Sequence, residues 1–564
     1  MKKGLEPLIV VAFAAAFLVF ISTASASDGG DRKGAHVVTF SKDVAPIFYK
    51  SCAGCHRPND LAPMSLITYK EARPWARSIK EKVVRREMPP WHADPHFGEF
   101  SNDRRLTQSQ IDTIVAWVDQ GAKEGDPKDL PPAPKFSEGW SIGQPDVVFS
   151  MAEDYTVAAE GADDYIYFRI PTNFKEDKWV RAIEFRPGNR KVVHHAVALL
   201  ESPEMVAEAK RRNPVKGDMV PTLFESDFPS SLLIKTGTVK HIKPDAPVTD
   251  DGCGASHGGA PFGNIGNELL CVYAPGREPD VWPTGTAKRI PAGSNIVLQM
   301  HYSKTTGKAE KDRTSVGLIF ARGPVQKRVV TRDVSNYLFK IPAGAESHEV
   351  TACWTARRGF ELISYMPHMH VRGKDMKYEA VFPDGRRETL LSVPQYNFGW
   401  QTLYSLKQPI AIPNGTKFIV TAHYDNSEKN KYNPDPTKAV RYGEPTYEEM
   451  MIGFVDFVVP KPKDRVIAKL DPATYDAYVG QYELRPGASV SVVKDAGNLY
   501  LAVGSNRVQI FPESEGVFFS QVPEAEVTFV RNDKGEVTDL IIKQNEQSLK
   551  CKRVSRPAPA GGKN

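Results

Sequence analysis

Two thiols and an imidazole stand together at Cys52-Ala53-Gly54-Cys55-His56, a spacing that lets both sulfurs add to the vinyl groups of one haem while His56 swings beneath its iron. That chemistry needs the two cysteines on one helical turn. The same residues also suit half of a zinc site, although no second Cys-x-x-Cys follows, or a redox disulfide, which would expect a strand-helix-strand setting. An iron held by His56 takes a further ligand on its other face, and Met64, Met88, His92 and His96 are the nearby thioethers and imidazoles. Met88 is the expected ligand: Met88-Pro89-Pro90-Trp91 predicts an extended loop stiffened by two prolines, with Trp91 against the haem edge. Met64 is expected in the core beneath the ring.

Further along, histidines recur in three places: His194-His195, His301 within Leu298-Gln299-Met300-His301-Tyr302, and His368-Met369-His370. A His-x-His pair on a strand points both imidazoles to one face, as a chelate requires. Adjacent His194 and His195 alternate faces and need a bend or bulge to share an ion. Taken singly, each also suits an ordinary strand histidine bonded to its neighbours. Cys253, Cys271, Cys353 and Cys551 allow three pairings. Cys253–Cys271 is the expected bridge, closing a Gly-rich loop from Asp250 to Gly266, while Cys353 and Cys551 are either free or staple two domains.

The elements that must position these residues follow from pattern. At roughly 150 residues per domain the 564-residue chain holds three or four. Its net charge of +5 is spread over 73 basic and 68 acidic residues without a long basic block, which argues against nucleic acid as a partner. Lys2 and Lys3, the apolar run Leu8 to Ile21 and Ala24-Ser25-Ala26 predict a cleaved export signal over 1–26. The mature protein then has no membrane span and sits in the periplasm or outside the cell, where disulfides and covalent haem persist. A small helical domain is expected over 37–130. Two β-sandwiches, over 138–325 and 326–462, follow from short alternating runs punctuated by Pro-Gly, Asn-Gly and Asp-Gly turns. Over 468–555 the segments Tyr482 to Leu484, Val490 to Val493, Leu499 to Val503 and Val527 to Val530 predict a small β-barrel or curved sheet.

Three resemblances sharpen this outline. The block around Cys52 and Met88 resembles a bacterial c-type cytochrome domain, including its Met-Pro-Pro loop. Val193-His194-His195-Ala196, the stretch from Tyr273-Ala274-Pro275-Gly276 through Trp282-Pro283-Thr284-Gly285 to His301, His368-Met369-His370-Val371-Arg372-Gly373-Lys374, and Glu449-Met450 together resemble the copper type II monooxygenases, the family of peptidylglycine hydroxylating and dopamine β-monooxygenases. The terminal Tyr478-Val479-Gly480-Gln481-Tyr482 resembles the lipocalin-like domain appended to some bacterial serine hydrolases, with no catalytic set of its own.

The second likeness implies jelly-roll-like sandwiches with two copper ions, one on His194, His195 and His301, the other on His368, His370 and Met450. Met451 is the neighbouring thioether that could take the place of Met450. In that family O2 is reduced at the Met-containing copper, and one oxygen atom enters a substrate C–H bond while the other leaves as water. His368, His370 and Met450 are then the catalytic set, and the three-His copper stores the second electron. The sequence departs from the peptide-hydroxylating pattern where those enzymes clamp a carboxylate, at Met366, Ile452 and Phe454, so a neutral or apolar organic substrate is expected. The fused haem is expected to replace or supplement an external reductant, either ascorbate-like or a periplasmic redox protein. An electron-transfer or copper-binding protein without hydroxylase activity is the rival reading, and a sandwich carrying a sensor haem is a third.

Overall fold

The structure, a computed structural model, describes residues 37–58, 62–136, 139–161, 163–203, 233–235, 269–304, 306–443, 445–461, 465–503, 506–521, 524–544 and 547–555. The expected signal over 1–26 and the Gly-rich loop with Cys253 lie outside these residues. No helix among them is long and apolar enough to cross a membrane.

Short helices at Ala45–Ser51, Tyr69–Ala72, Ala76–Val84 and Gln108–Asp119 build the front of the chain. Thr107 starts the longest of them: its hydroxyl accepts from Gln110 N while the Gln110 side chain accepts from Thr107 N, which satisfies two donors that a helix start leaves open. Ile111, Ile114 and Trp117 fall on one stripe of that helix and are buried, and Trp117 meets Phe40 and Phe48 at ring distances of 6.0 and 6.2 Å. Burying side chains of this size contributes on the order of 1.5–3 kcal/mol each, which lets helices this short persist.

Beyond residue 140 the chain is strand and turn. One long sheet runs Val147–Ser150, Ser315–Phe320, Lys178–Arg186, Thr286–Ile290, Lys327–Ser335, Ile452–Pro460, Phe360–His368 and Tyr404–Ile412, with Asp280–Val281 beside Lys178–Arg186. It passes without a break from one predicted sandwich to the other, through the parallel contact of Lys327–Ser335 with Thr286–Ile290. A five-stranded sheet, ordered Leu233–Lys235, Asp164–Pro171, Asn295–Tyr302, Val193–Glu201 and Leu269–Tyr273, covers the first half over a core that includes Phe168, Ala196, Leu298 and Leu318. A four-stranded sheet of His348–Thr355, Lys417–Tyr424, Gly373–Val381 and Arg387–Val393 covers the second half over Tyr378, Phe418, Val420 and Val455.

Ile452–Pro460 serves both halves. Its alternate residues Val455, Phe457 and Val459 lie in the second core, and a Cβ on Gly453 would come within 2.9 Å of Val420, so only glycine fits that approach. The residues between them face the first half: Ile452 and Phe454 join an apolar seam, Asp456 bonds Thr331, and Val458 enters the first core.

Trp91 departs from expectation. It is packed not on a haem edge but in the second β core, 5.0 Å from the Tyr404 ring and 5.8 Å from Phe100. The surrounding stretch is stitched to the four-stranded sheet by Asp94 N to Ser392 O at 2.8 Å, and to the Tyr404–Ile412 edge of the long sheet by Ser101 N to Ser405 O at 2.8 Å and Asn102 Nδ2 to Leu403 O at 2.7 Å. Two large aromatic rings gain more from a ready-made β core than from a small helical one.

The last part is a closed barrel of eight strands from Gly480–Arg485 to Gln547–Ser555, its interior filled by Tyr478, Tyr482, Phe518, Phe529 and their neighbours. Cys551 is buried there as a free thiol. Cys271 is also free, so the expected Cys253–Cys271 bridge does not form: its strand turns Cys271 into the first β core, opposite Ala198.

Candidate metal centres

Val193–Glu201 and Asn295–Tyr302 are neighbours in the five-stranded sheet, with His195 directly opposite His301. The register slips at the next pair, where Tyr302 meets Val193 rather than His194. His194 is thus the extra residue of a bulge, which is how two adjacent imidazoles turn toward one point. Ligand nitrogens of His194, His195 and His301 all lie within 4.8 Å of one another. Nδ1 of His195 is 3.4 Å from Nδ1 of His194 and 3.2 Å from Nδ1 of His301.

Asp163 sets the tautomer. His301 Nε2–H donates to Asp163 Oδ2 at 2.8 Å, which leaves the Nδ1 lone pair facing the other imidazoles. Tyr165 stacks on the His301 ring at 4.4 Å, and its hydroxyl accepts from Thr446 N at 3.1 Å, tying this centre to the segment that leads to Met450. Burial, then the charge of His301, holds His194 down to about 4. Burial and the charges of the surrounding histidines, His368 and His370 among them, hold His195 well below its ordinary value. Imidazoles kept neutral at pH 7 have lone pairs ready for a metal.

The second group differs from the predicted His-x-His strand. His368 ends the strand Phe360–His368, while His370 lies past it in the turn closed by Gly373 N to His370 O at 3.1 Å. Their rings are 5.4 Å apart and nearly perpendicular, so the turn rather than strand periodicity brings them together. His370 Nδ1–H donates to the Glu448 carbonyl at 3.2 Å, and His368 Nδ1 bonds Gln401 Oε1 at 2.8 Å, which leaves both Nε2 atoms for a metal. Burial holds His368 down to about 4 and His370 well below its usual range.

Glu449 fastens this turn to the methionine segment. Its buried carboxyl accepts from His370 N at 2.8 Å, Arg372 N at 2.7 Å and Met450 N at 3.2 Å; burial pushes it up to about 8 despite those donors. Of the two thioethers, Met451 is fully buried in the second core, whereas Met450 is half-buried and packs against both that core and the apolar seam.

The seam lies between the outer face of the five-stranded sheet, with Tyr167, Leu199, Leu269 and Val297, and Met366, Ile452 and Phe454 of the second half. The three positions of the expected missing carboxylate clamp are therefore side by side and apolar. Beside Met366 and Phe454 lies a small cleft lined by Arg277, Asp280, Lys288 and Asp456, each bonded within the protein. Arg277 pairs with Asp280 at 2.8 Å, and Lys288 Nζ donates to Leu269 O, Leu270 O and Thr331 Oγ1. Thr331 in turn bonds Asp456.

In the helical part, Cys52 caps Ala45–Ser51, and Cys55 N and His56 N both return to Cys52 O, at 3.1 and 2.9 Å. The two thiols, neither in a disulfide, and the imidazole thus share one turn. His56 Nδ1–H donates to Met64 O at 3.3 Å, leaving Nε2 for an iron. Met64 packs on the helical core, Met88 and His92 are half-buried, and His96 is exposed and bonded to Asp94 at 2.6 Å.

Asp163, Tyr165, Phe398 and Gln401 are the residues that sequence reasoning missed. None belongs to a motif, and each reaches its histidine through strand register or a loop.

No curated protein matches the chain. Among solved structures, the major capsid protein P2 of bacteriophage PM2 aligns at 7% identity over 54% of this chain and 99% of its own, with a TM-score of 0.20. The infectious bursal disease virus Gx strain structure aligns at 10% identity over 56% and 82%, with a TM-score of 0.14. Likenesses this slight carry no argument. Residues 464–554, the barrel, match a domain of unknown function (DUF3471). Residues 337–476, which contain His368, His370 and Met450, match the copper type II ascorbate-dependent monooxygenase C-terminal domain.

Proposed function

We propose that the chain is an exported copper-dependent monooxygenase that hydroxylates a C–H bond of a neutral or apolar organic molecule with O2, and that a haem held by Cys52, Cys55 and His56 passes it electrons. The observation that carries this reading is the pair of histidine groups, in which Asp163 holds one nitrogen of His301, Gln401 one of His368 and the Glu448 carbonyl one of His370, leaving the other nitrogen of each ring for a metal. Imidazoles suit both oxidation states of copper and a thioether favours the reduced one, so the donor sets fit that metal. Copper at His194, His195 and His301 and at His368, His370 and Met450 would supply one-electron chemistry and reduction of O2.

The remaining work falls to the chain itself. Asp163 and Gln401 hold the imidazoles in the ligating tautomer, and Glu449 fixes Met450 to the turn that carries His370. Met366, Ile452 and Phe454 present an apolar wall, and the cations of the adjoining cleft are already engaged, Arg277 by Asp280 and Lys288 by two backbone carbonyls and Thr331. Met88 is the proposed second iron ligand, and the electron source outside the chain is an ascorbate-like reductant or a redox protein of the periplasm.

Purified protein loaded with copper and given ascorbate should consume O2 in step with formation of a hydroxylated product from an apolar substrate, and His368→Ala should abolish both. Reversible copper reduction without any product across a substrate panel would leave an electron carrier instead. Efficient amidation of a glycine-extended peptide would overturn the substrate class.

A further inference from the structure

Between the two groups of histidines stands one phenyl ring. Phe398 stacks on His194 at 4.9 Å with 20° between planes, and its edge meets His370 at 5.9 Å and 80°. It comes from neither metal-bearing sheet edge but from the loop joining Arg387–Val393 to Tyr404–Ile412.

That loop is fixed at several points. The Tyr396 hydroxyl donates to Met369 O at 2.7 Å and accepts from Met369 N at 3.1 Å, between His368 and His370. Gln401 is buried and bonds His368. The ring is thus placed by residues that grip the second group while it covers a histidine of the first.

Resting on the two-copper reading above, we propose that Phe398 is a spacer: a positioning residue that keeps the two ligand groups as separate mononuclear centres. A phenyl ring has no lone pair with which to bridge two ions, and it occupies space that water or hydroxide could otherwise enter. Without the ring, a shared oxygen ligand between the centres would couple their unpaired electrons.

The test is electron paramagnetic resonance of the full chain loaded with Cu(II), with copper counted independently. Wild-type protein should hold two coppers whose integrated spins equal its copper content. Phe398→Ala should hold the same copper but show fewer spins or a half-field transition, while Phe398→Leu, which keeps apolar bulk, should behave as wild type. Should the alanine chain not fold, Phe398→Val carries the same comparison. Spectra of the shortened variant matching wild type at equal copper content would overturn the spacer alone. Fewer than two coppers on the wild-type chain would overturn the copper reading, and the spacer with it.

Discussion

Asp163 Oδ2 lies 2.8 Å from Nε2 of His301, and this single bond decides which imidazole nitrogen is left for a metal. Burial alone would raise the Asp163 carboxyl, but the bond from His301 and the histidine charge hold it below its usual range, so it stays an acceptor. Asp163→Ala should weaken copper binding at the three-histidine centre by about 10–100-fold, the usual effect of losing an outer partner of a ligating histidine. Competition with a Cu(I) chelator measures this, and the second centre should keep its affinity.

The two adjacent methionines should separate cleanly. Met451→Ala removes a fully buried side chain and should cost about 2–5 kcal/mol in urea unfolding while copper content stays the same. Met450→Ala, at a half-buried position, should cost much less stability but lower Cu(I) affinity at the second centre. The reverse pattern would move the ligand to Met451.

Acid should destabilise the metal-free protein in a defined window. Unfolded histidines titrate at about 6.5, whereas in the fold His194 and His368 are held down to about 4 and His195 and His370 also lie well below the ordinary value. Below pH ~6.5 the unfolded chain therefore binds more protons than the native one, and stability is lost as pH falls toward 4. Above that window this contribution is constant. Urea midpoints of metal-free protein at pH 7.5, 6 and 5 should fall in that order, and copper loading should raise each of them.

Trp91→Ala should destabilise the β part rather than the helical block, by about 3–5 kcal/mol, because the indole is buried with Phe100 and Tyr404. Hydrogen exchange resolved by segment checks this. Faster exchange should centre on Tyr404–Ile412 and leave Gln108–Asp119 protected.

What the sequence disclosed and what it hid have physical reasons. Adjacent His194 and His195 called for a bend or a bulge because strand geometry forbids them one face, and a bulge is what the register shows. The same periodicity misled at His368 and His370, where a turn with freer geometry does the work. Gln401 and Phe398 sit in a loop, and Asp163 reaches His301 only once two distant strands are in register, so no local pattern could reveal them. Apolar alternation predicted strands on both sides of residue 326, but not that one sheet would run through both halves.

Because Ile452–Pro460 contributes side chains to two interiors at once, the halves are not interchangeable modules. A chimera taking residues 337–460 from another protein would bring its own Ile452, Phe454 and Val458 equivalents into a front half shaped for these ones. Recombination or directed evolution of a new specificity should therefore succeed by changing that strand together with its counterparts at Leu199, Leu269 and Val297, and fail when either set is exchanged alone.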